Sequence, residues 1–433
     1  MALSLAGCGG SLRLAPQFGV SPQSSTEAIR APATETVLWS FKGSPSDGGG
    51  PTAGLIADAG NLYGTTPFDG QKAPHFGTVY KIVPNGSAST ETLLHTFAGL
   101  DGSYPYAPLV SDAKGNLYGT TDAGGSTYGS GCNTNGCGSV FELMNASGHR
   151  SESVLYSFKS GTDGSQPFGP VTFDGNGNLF GTTQDGGKAS CAQGYQGCGT
   201  VFELSPSPSG WKRTPIHAFG GVDGALPATR VMIDSQGNIF GTTPKGGGGC
   251  SGAGCGVVFE LSGSGSSWSE KILHQFAGGS DGGAPSSGMI ADTKGNLYGA
   301  TASGGKSGLG LVYELTRASK WKERVLFNFS SATAAKSPSG ELAFDAHGNL
   351  LGVSAGGNVC IVGHQRPGCG VVYELSPAKN GPWKETDLFK FAQNNGGWFP
   401  NGGLIVNAGE IIGTAQRRGT GSGCCGVAFE LAR

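Results

Sequence analysis

One phrase limits what this chain can fold into. GNLYGTT at 60–66 returns as GNLYGTT, GNLFGTT, GNIFGTT, GNLYGAT, GNLLGVS and, degenerate, GEIIGTA. The copies begin at Asn61, Asn116, Asn178, Asn238, Asn296, Asn349 and Glu410, in steps of 55, 62, 60, 58, 53 and 61 residues. A unit of this length cannot bury its own apolar face, so neighbouring units must stack.

The unit reads as four short strands. PLVSD (Pro108–Asp112) runs into the turn AKGN, where Gly and Asn tolerate positive φ. NLYGTT, GSVFEL (Gly138–Leu143) and ESVLYSF (Glu152–Phe158) follow, rich in the aromatic and β-branched residues that suit a pleated surface. No segment shows sustained helical spacing, which makes the chain all-β.

Strand counting decides how the units assemble. The third strand ends at Ile82, Leu143, Leu204, Leu261, Leu315, Leu375 and Leu431. The fourth ends at Phe41, Phe97, Phe158, Phe219, Phe276, Phe329 and Phe391, its first copy preceding any second strand. The last unit therefore lacks a fourth strand and the N-terminal side has a spare one. A seven-bladed β-propeller of four-stranded blades, its ring closed by the N-terminal strand Val37–Phe41, resolves both facts. A stacked solenoid would need caps and leaves the spare strand unexplained.

Composition agrees. Glycine supplies 81 of 433 residues, which could signal disorder, yet the 37% that are hydrophobic arrive in short bursts. A net charge of −2 leaves no basic footprint, so nucleic acid is not an expected partner. No apolar run reaches the length of a membrane span.

The recurring residues have structural readings. Tyr63, Tyr118, Phe180, Phe240 and Tyr298 would lie between neighbouring sheets, and the following glycine would let backbones approach. Glu142, Glu203, Glu260, Glu314, Glu374 and Glu430 recur once per blade, too often for a catalytic acid. Trp211, Trp268, Trp321 and Trp383 would pack the outer edge, with a rim-binding role as the alternative. His95, His217 and His274 share one strand position and read as packing residues.

The tandem GNLYGTT…GG…GxVFEL unit is similar to the gloVer repeat of bacterial proteins, over about residues 34–433. The resemblance implies a propeller-like exported protein and supplies no catalytic residues to carry over.

Export is also read at the N-terminal end. LAGC (Leu5–Cys8) fits a lipobox, with Cys8 as the lipidated residue and Gly9 behind it resembling an outer-membrane sorting signal in a Gram-negative host. Only seven residues precede Cys8 and none is basic, which departs from a full signal. The chain thus divides into a truncated signal (1–8), a Ser/Pro/Ala-rich flexible tether (9–34) and the propeller (35–433).

Ten further cysteines form five pairs in the loop between the second and third strands. They are Cys132/Cys137, Cys191/Cys198, Cys250/Cys255, Cys360/Cys369 and Cys424/Cys425, expected as disulfides that stiffen loops in an extracytoplasmic setting. Zinc is the rival reading and would need two loops to pool four thiolates. The expectation is no metal and no cofactor.

In a meander the loops after the second and fourth strands emerge on one side. That face carries the cysteine loops and the DGxxP loops at Asp47, Asp101, Asp163, Asp223 and Asp281, read as turn formers, with calcium ligation as the alternative. A single site should appear where the blades differ. Arg230 and Glu341 are the charged residues at an axial position otherwise held by Gly or Pro, with pairing across the channel as the alternative to ligand binding. Tyr106, Phe168 and Trp398 add aromatic faces, with Phe399, His364, Arg366, Arg417 and Arg418 nearby. Aromatic faces with a few donors suit a glycan, or a surface protein or peptide. The sequence thus favours a monomeric, lipid-anchored, non-catalytic binding or scaffold module of the cell envelope. The alternative is a polysaccharide lyase or hydrolase working in the axial funnel.

Overall fold

The computed structural model describes residues 18–19, 33–43, 46–69, 76–126, 132, 135–146, 149–188, 191, 196–250, 252–333, 335–357, 369–378, 381–392, 397–407, 409–417 and 425–432. The chain forms seven four-stranded antiparallel sheets arranged as a propeller. Blade two is representative, with Val110–Ser111, Leu117–Thr121, Ser139–Ala146 and His149–Ser157 paired in sequence order. In blade seven, Ile405–Asn407, Glu410–Ala415 and Val427–Ala432 are joined by Thr34–Ser40, which pairs with Val427–Ala432 from Thr34↔Ala432 to Ser40↔Val427. Two residues of the expected tether, Phe18–Gly19, pair in parallel with Ile290–Asp292 of blade five, so the tether is not free along its whole length.

Each fourth strand carries an irregularity against the third at one place, between Val140 and Phe141 in blade two and between Val79 and Tyr80 in blade one. The residue left unpaired is Leu94, Leu155, Ile216, Leu273, Leu326, Leu388 or Leu38 in the respective blades. Such a bulge bends the strand and strengthens its twist. Three residues later the terminal Phe lies in the wall between blades.

That wall is a repeated ring-on-ring contact. Phe97 meets Phe141 of the next blade edge-on at 5.1 Å, and Phe158–Phe202, Phe219–Phe259, Phe276–Tyr313, Phe329–Tyr373 and Phe391–Phe429 follow at 5.1–5.2 Å. Phe41–Tyr80 completes the circle at 4.9 Å. Each edge-to-face pair contributes about 0.5–1.5 kcal/mol beyond the area it buries.

The glycine of the repeated phrase is explained by the same ring. A Cβ on Gly119 would stand 2.6 Å from Phe141, and one on Gly181 would stand 2.7 Å from Phe202. The glycine therefore makes room for the paired strand's aromatic ring rather than for a backbone, which corrects the expectation. The first Thr of the phrase links blades, because Thr65, Thr120 and Thr242 Oγ1 donate to Ala107, Gly169 and Ser287 carbonyls at 3.0 Å. Thr414 makes the corresponding bond to Ala53 at 2.7 Å.

The repeated tryptophans belong to the walls rather than to an outer rim. Trp211 meets Tyr118 at 6.3 Å, Trp268 meets Phe180 at 6.4 Å and Trp321 meets Phe240 at 5.9 Å. In blade two the equivalent place holds Arg150, whose guanidinium lies 5.2 Å over Tyr63. Tyr118 also donates to Glu142 Oε1 at 2.7 Å, so this repeated glutamate is a hydrogen-bond acceptor inside the blade.

Disulfides join Cys132–Cys137, Cys191–Cys198 and Cys250–Cys255, with Cα separations of 4.9, 5.2 and 5.3 Å. Cys369 and Cys425 are also disulfide-bonded, while Cys8, Cys360 and Cys424 lie outside the described residues. The bridges point to an oxidising, extracytoplasmic environment. Among the described residues no helix is long and apolar enough to cross a membrane.

Candidate functional site

The loops after second and fourth strands meet on one face, as the backbone bridges Ser103↔Ala123, Ser165↔Asp185, Ala225↔Lys245 and Trp398↔Arg417 show. The opposite face is closed by tight turns. There Asp112 Oδ1 accepts from Lys114 and Asn116 backbone N–H at 2.9 Å, and Asp174, Asp234, Asp292 and Asp345 repeat the arrangement. Those turns leave little free hydrogen-bonding capacity, so the variable chemistry belongs to the loop face.

Its geometry begins with a strained position. Tyr104, Gln166, Leu226, Ala284, Ser337 and Phe399 each precede a proline and adopt positive φ, between 51° and 61°. Side chains other than glycine rarely adopt this conformation, and each is held by its N–H donating to the previous blade's loop, as Tyr104 does to Phe76 O at 2.8 Å. The proline then seats on the glycine of GxVFEL, where a Cβ on Gly138 would meet Pro167 at 2.5 Å. The latch fixes the residues on both sides of the proline.

After the proline, blades two and three carry Tyr106 and Phe168, and Tyr104 precedes the proline in blade two; with Phe68 and Phe76 of blade one these rings form a strip. Tyr106 and Phe168 stack at 4.9 Å with planes 24° apart, and Tyr104 extends the stack to Tyr106 at 6.5 Å and 20°. Phe68 stands edge-on to Tyr104 and Tyr106 at 6.5 and 6.0 Å, and Phe76 meets Tyr104 at 6.3 Å. Phe68 and Phe168 are 40% and 37% exposed, so the strip reaches solvent. Asp122 and Asp185 come from the neighbouring loops. Burial, with a smaller push from Asp185, raises the Asp122 carboxyl to about 6, and burial raises Asp185 as well. Sequence reading found Tyr106 and Phe168 but missed Phe68, Tyr104 and the two aspartates. Tyr104 shares the loop of Tyr106, whereas Phe68, Asp122 and Asp185 follow second strands, and folding brings those three loops to it.

The other expected site residues are placed differently. Arg230 Nε donates to both Glu341 oxygens at 2.9 and 3.1 Å, so the axial charges bind each other. Gly288 between them leaves the room, since a Cβ there would stand 3.3 Å from the Arg230 Cβ. Trp398 is a correction. It is 8% exposed and packs with Val427, Phe429 and Phe391 in the core between blades six and seven, rather than standing open on the loop face. Arg417 lies 5.7 Å over Phe399, while His364, Arg366 and Arg418 lie outside the described residues.

The DG aspartates do more than form turns, and the histidines do more than pack. His95 Nε2 lies 3.0 Å from Asp101 Oδ2 and His217 Nε2 lies 3.2 Å from Asp223 Oδ2. His274 Nε2 lies 3.3 Å from Asp281 Oδ1. Tyr156 and Trp39 donate to Asp163 and Asp47 at the same junction, at 2.7 and 3.1 Å. Blades with Phe327 or Phe389 at this strand position are followed by loops without the DG aspartate. That covariation was the available signal. Each histidine cluster gains a glutamate from the next blade's fourth strand, giving His95/Asp101/Glu152, His217/Asp223/Glu270 and His274/Asp281/Glu323.

Residues 29–255 and 191–363 match the model of the Gloeobacter/Verrucomicrobia repeat, two overlapping stretches that together span most of the chain. Solved structures with a similar course include a polysaccharide lyase at 11% identity and TM-score 0.48, covering 96% of each chain. A GH74 xyloglucanase from Xanthomonas campestris shares 16% identity at TM-score 0.47, over 89% of this chain and 52% of that one. A protein of unknown function from Dyadobacter fermentans shares 9% identity at TM-score 0.46, over 93% and 99%. Likenesses this distant carry no activity across. No curated protein matches the chain.

Proposed function

We propose that this chain, which belongs to the Gloeobacter/Verrucomicrobia repeat family, is an exported glycan-binding module that uses its loop face. The supporting observation is the solvent-facing strip Tyr104–Tyr106–Phe168 with Phe68 at its edge. Flat aromatic faces bury the apolar face of a sugar ring, and the strained X-Pro positions hold Tyr104 rigid, which lowers the ordering cost of binding. Asp122 and Asp185 accept hydrogen bonds from sugar hydroxyls. Their charge disfavours uronic acid polymers, so the expected ligand is a neutral polysaccharide. The Cys8 lipobox would tether the module to the cell envelope.

An enzyme in the axial funnel is less well supported, because Glu341, the acid it would use, is bound to Arg230. The test is affinity electrophoresis of the oxidised protein through neutral and uronic acid polysaccharides. Tyr106→Ala and Phe168→Ala should weaken retention at least about tenfold and leave the melting temperature nearly unchanged. Unaltered retention in both variants would place binding elsewhere. Depolymerisation that is lost in Asp122→Asn would replace the binding module with a hydrolase.

A further inference from the structure

We propose that the three junction clusters, His95/Asp101/Glu152, His217/Asp223/Glu270 and His274/Asp281/Glu323, are sites for a first-row divalent cation such as manganese(II) or zinc(II). In each cluster one imidazole nitrogen and two carboxylate oxygens lie within 4.8 Å of one another. In the second, His217 Nε2 is 3.2 Å from Asp223 Oδ2 and 3.6 Å from Glu270 Oε2. Ligands bound to one cation at about 2.0–2.2 Å stand roughly 3.0–3.6 Å apart, so little movement is needed. Imidazole with carboxylates is a donor set such cations accept.

The supporting contacts are shaped for this role. One oxygen of each aspartate accepts a backbone N–H, from Ala98 at 2.8 Å, Gly220 at 2.6 Å or Ala277 at 2.7 Å. The other oxygen faces the imidazole, which is how an outer hydrogen bond orients a ligating carboxylate. Glu152, Glu270 and Glu323 each keep a buried Oε1 with no hydrogen-bond partner among the described residues, a feature they share with Glu35, Glu91 and Glu385 at the junctions without histidine.

An independent observation comes from the junction that lacks histidine. There Tyr156 bonds Asp163 Oδ1 at 2.7 Å, and the glutamate's place is taken by Arg213, 8% exposed, with Nε 3.5 Å from Asp163. The Tyr156 junction pairs its aspartate with a side-chain cation, whereas each histidine cluster sets two carboxyl groups and one imidazole around the same point with no arginine among them. Where the third ligand is missing an arginine takes its place, and where His, Asp and Glu converge a divalent ion would occupy the same point, displacing any proton the acids hold. Buried charge requires such compensation. The Trp39/Asp47/Glu91 junction has no imidazole and so lacks the nitrogen ligand of the three clusters. Lys188, 4.0 Å from Asp223, is the basic neighbour of the second cluster, which should therefore bind most weakly.

The test uses untagged, oxidised full-length protein equilibrated with manganese(II) or zinc(II) slightly above neutral pH, gel-filtered and assayed for metal. Three retained ions per chain are expected, with a rise in melting temperature. His95→Gln and His274→Gln should each remove one ion. Tyr156→His combined with Arg213→Glu should build a fourth cluster and add one. No retained metal in the wild type would overturn the proposal, and so would a stoichiometry that neither histidine variant changes.

Discussion

The walls between blades and the loops above them come from the same repeat, yet they behave differently. In the walls one edge-to-face ring contact recurs seven times within 0.3 Å, from 4.9 to 5.2 Å. On the loop face the residue after the latch proline is Thr52, Tyr106, Phe168, Ala228, Ser286, Ser339 or Asn401. A wall must fit its neighbour on both sides, so a change of size at one position strains two blades. A loop side chain beyond the proline meets solvent, and the latch holds the backbone whatever that side chain is. Uniformity therefore marks packing, and variation marks the place where one blade can acquire chemistry of its own.

The sharpest break of the wall removes a strand. Deleting residues 1–42 takes away the partner of Val427–Ala432 and the Phe41–Tyr80 contact, so cooperative unfolding should be lost in calorimetry. Deleting 9–32 spares both and should shift the midpoint by only a few degrees. Equal behaviour of the two truncations would show that the wall there is dispensable. Next in size, Phe202→Ala or Phe259→Ala should cost about 3–5 kcal/mol in urea unfolding, the usual cost of emptying a buried aromatic site. A cost below about 1 kcal/mol would mean that the ring contacts are replaceable.

A smaller effect follows from the junction glutamates. Burial raises Glu35, Glu91, Glu152, Glu270 and Glu385 from 4.5 to about 7, and Glu323 to about 8. A carboxyl with a raised folded value binds its proton more tightly when folded. It favours folding fully only below its unfolded value, and that advantage is lost as pH rises through 7 to 8. His274 is shifted downward by burial and opposes the trend in acid, while the lowered Asp101 and Asp223 lose their contribution only below the usual carboxylate range. Metal-free protein should therefore have a higher urea midpoint at about pH 6 than at about pH 8, and Glu270→Gln with Glu323→Gln should flatten the difference. A rise in stability toward alkaline pH would show that these carboxyls are charged in the folded state. The smallest expected change in stability belongs to the loop face, where Tyr106→Ala should move the midpoint by less than about 1 kcal/mol. A larger loss would make the strip part of the wall.

Much of this was legible before folding. The count of seven Asn-led phrases, seven strand-ending leucines or isoleucine and seven phenylalanines specifies a ring of four-stranded blades, because hydrophobic alternation and turn chemistry are local properties of a strand. The cysteine spacing likewise placed the three bridges seen in the described loops. Tertiary structure alone decided which distant side chains meet. Trp398 reads as an exposed aromatic in sequence but fills the core between blades six and seven, since burial depends on what packs against a residue from elsewhere in the chain. Phe68 and Phe168 join Tyr104 and Tyr106 only because consecutive blades bring different loops side by side. The histidine clusters join a strand end, a loop aspartate and a glutamate of the next blade. Such contacts combine positions that no single period relates, and sequence periodicity reports only the residues that every blade must share.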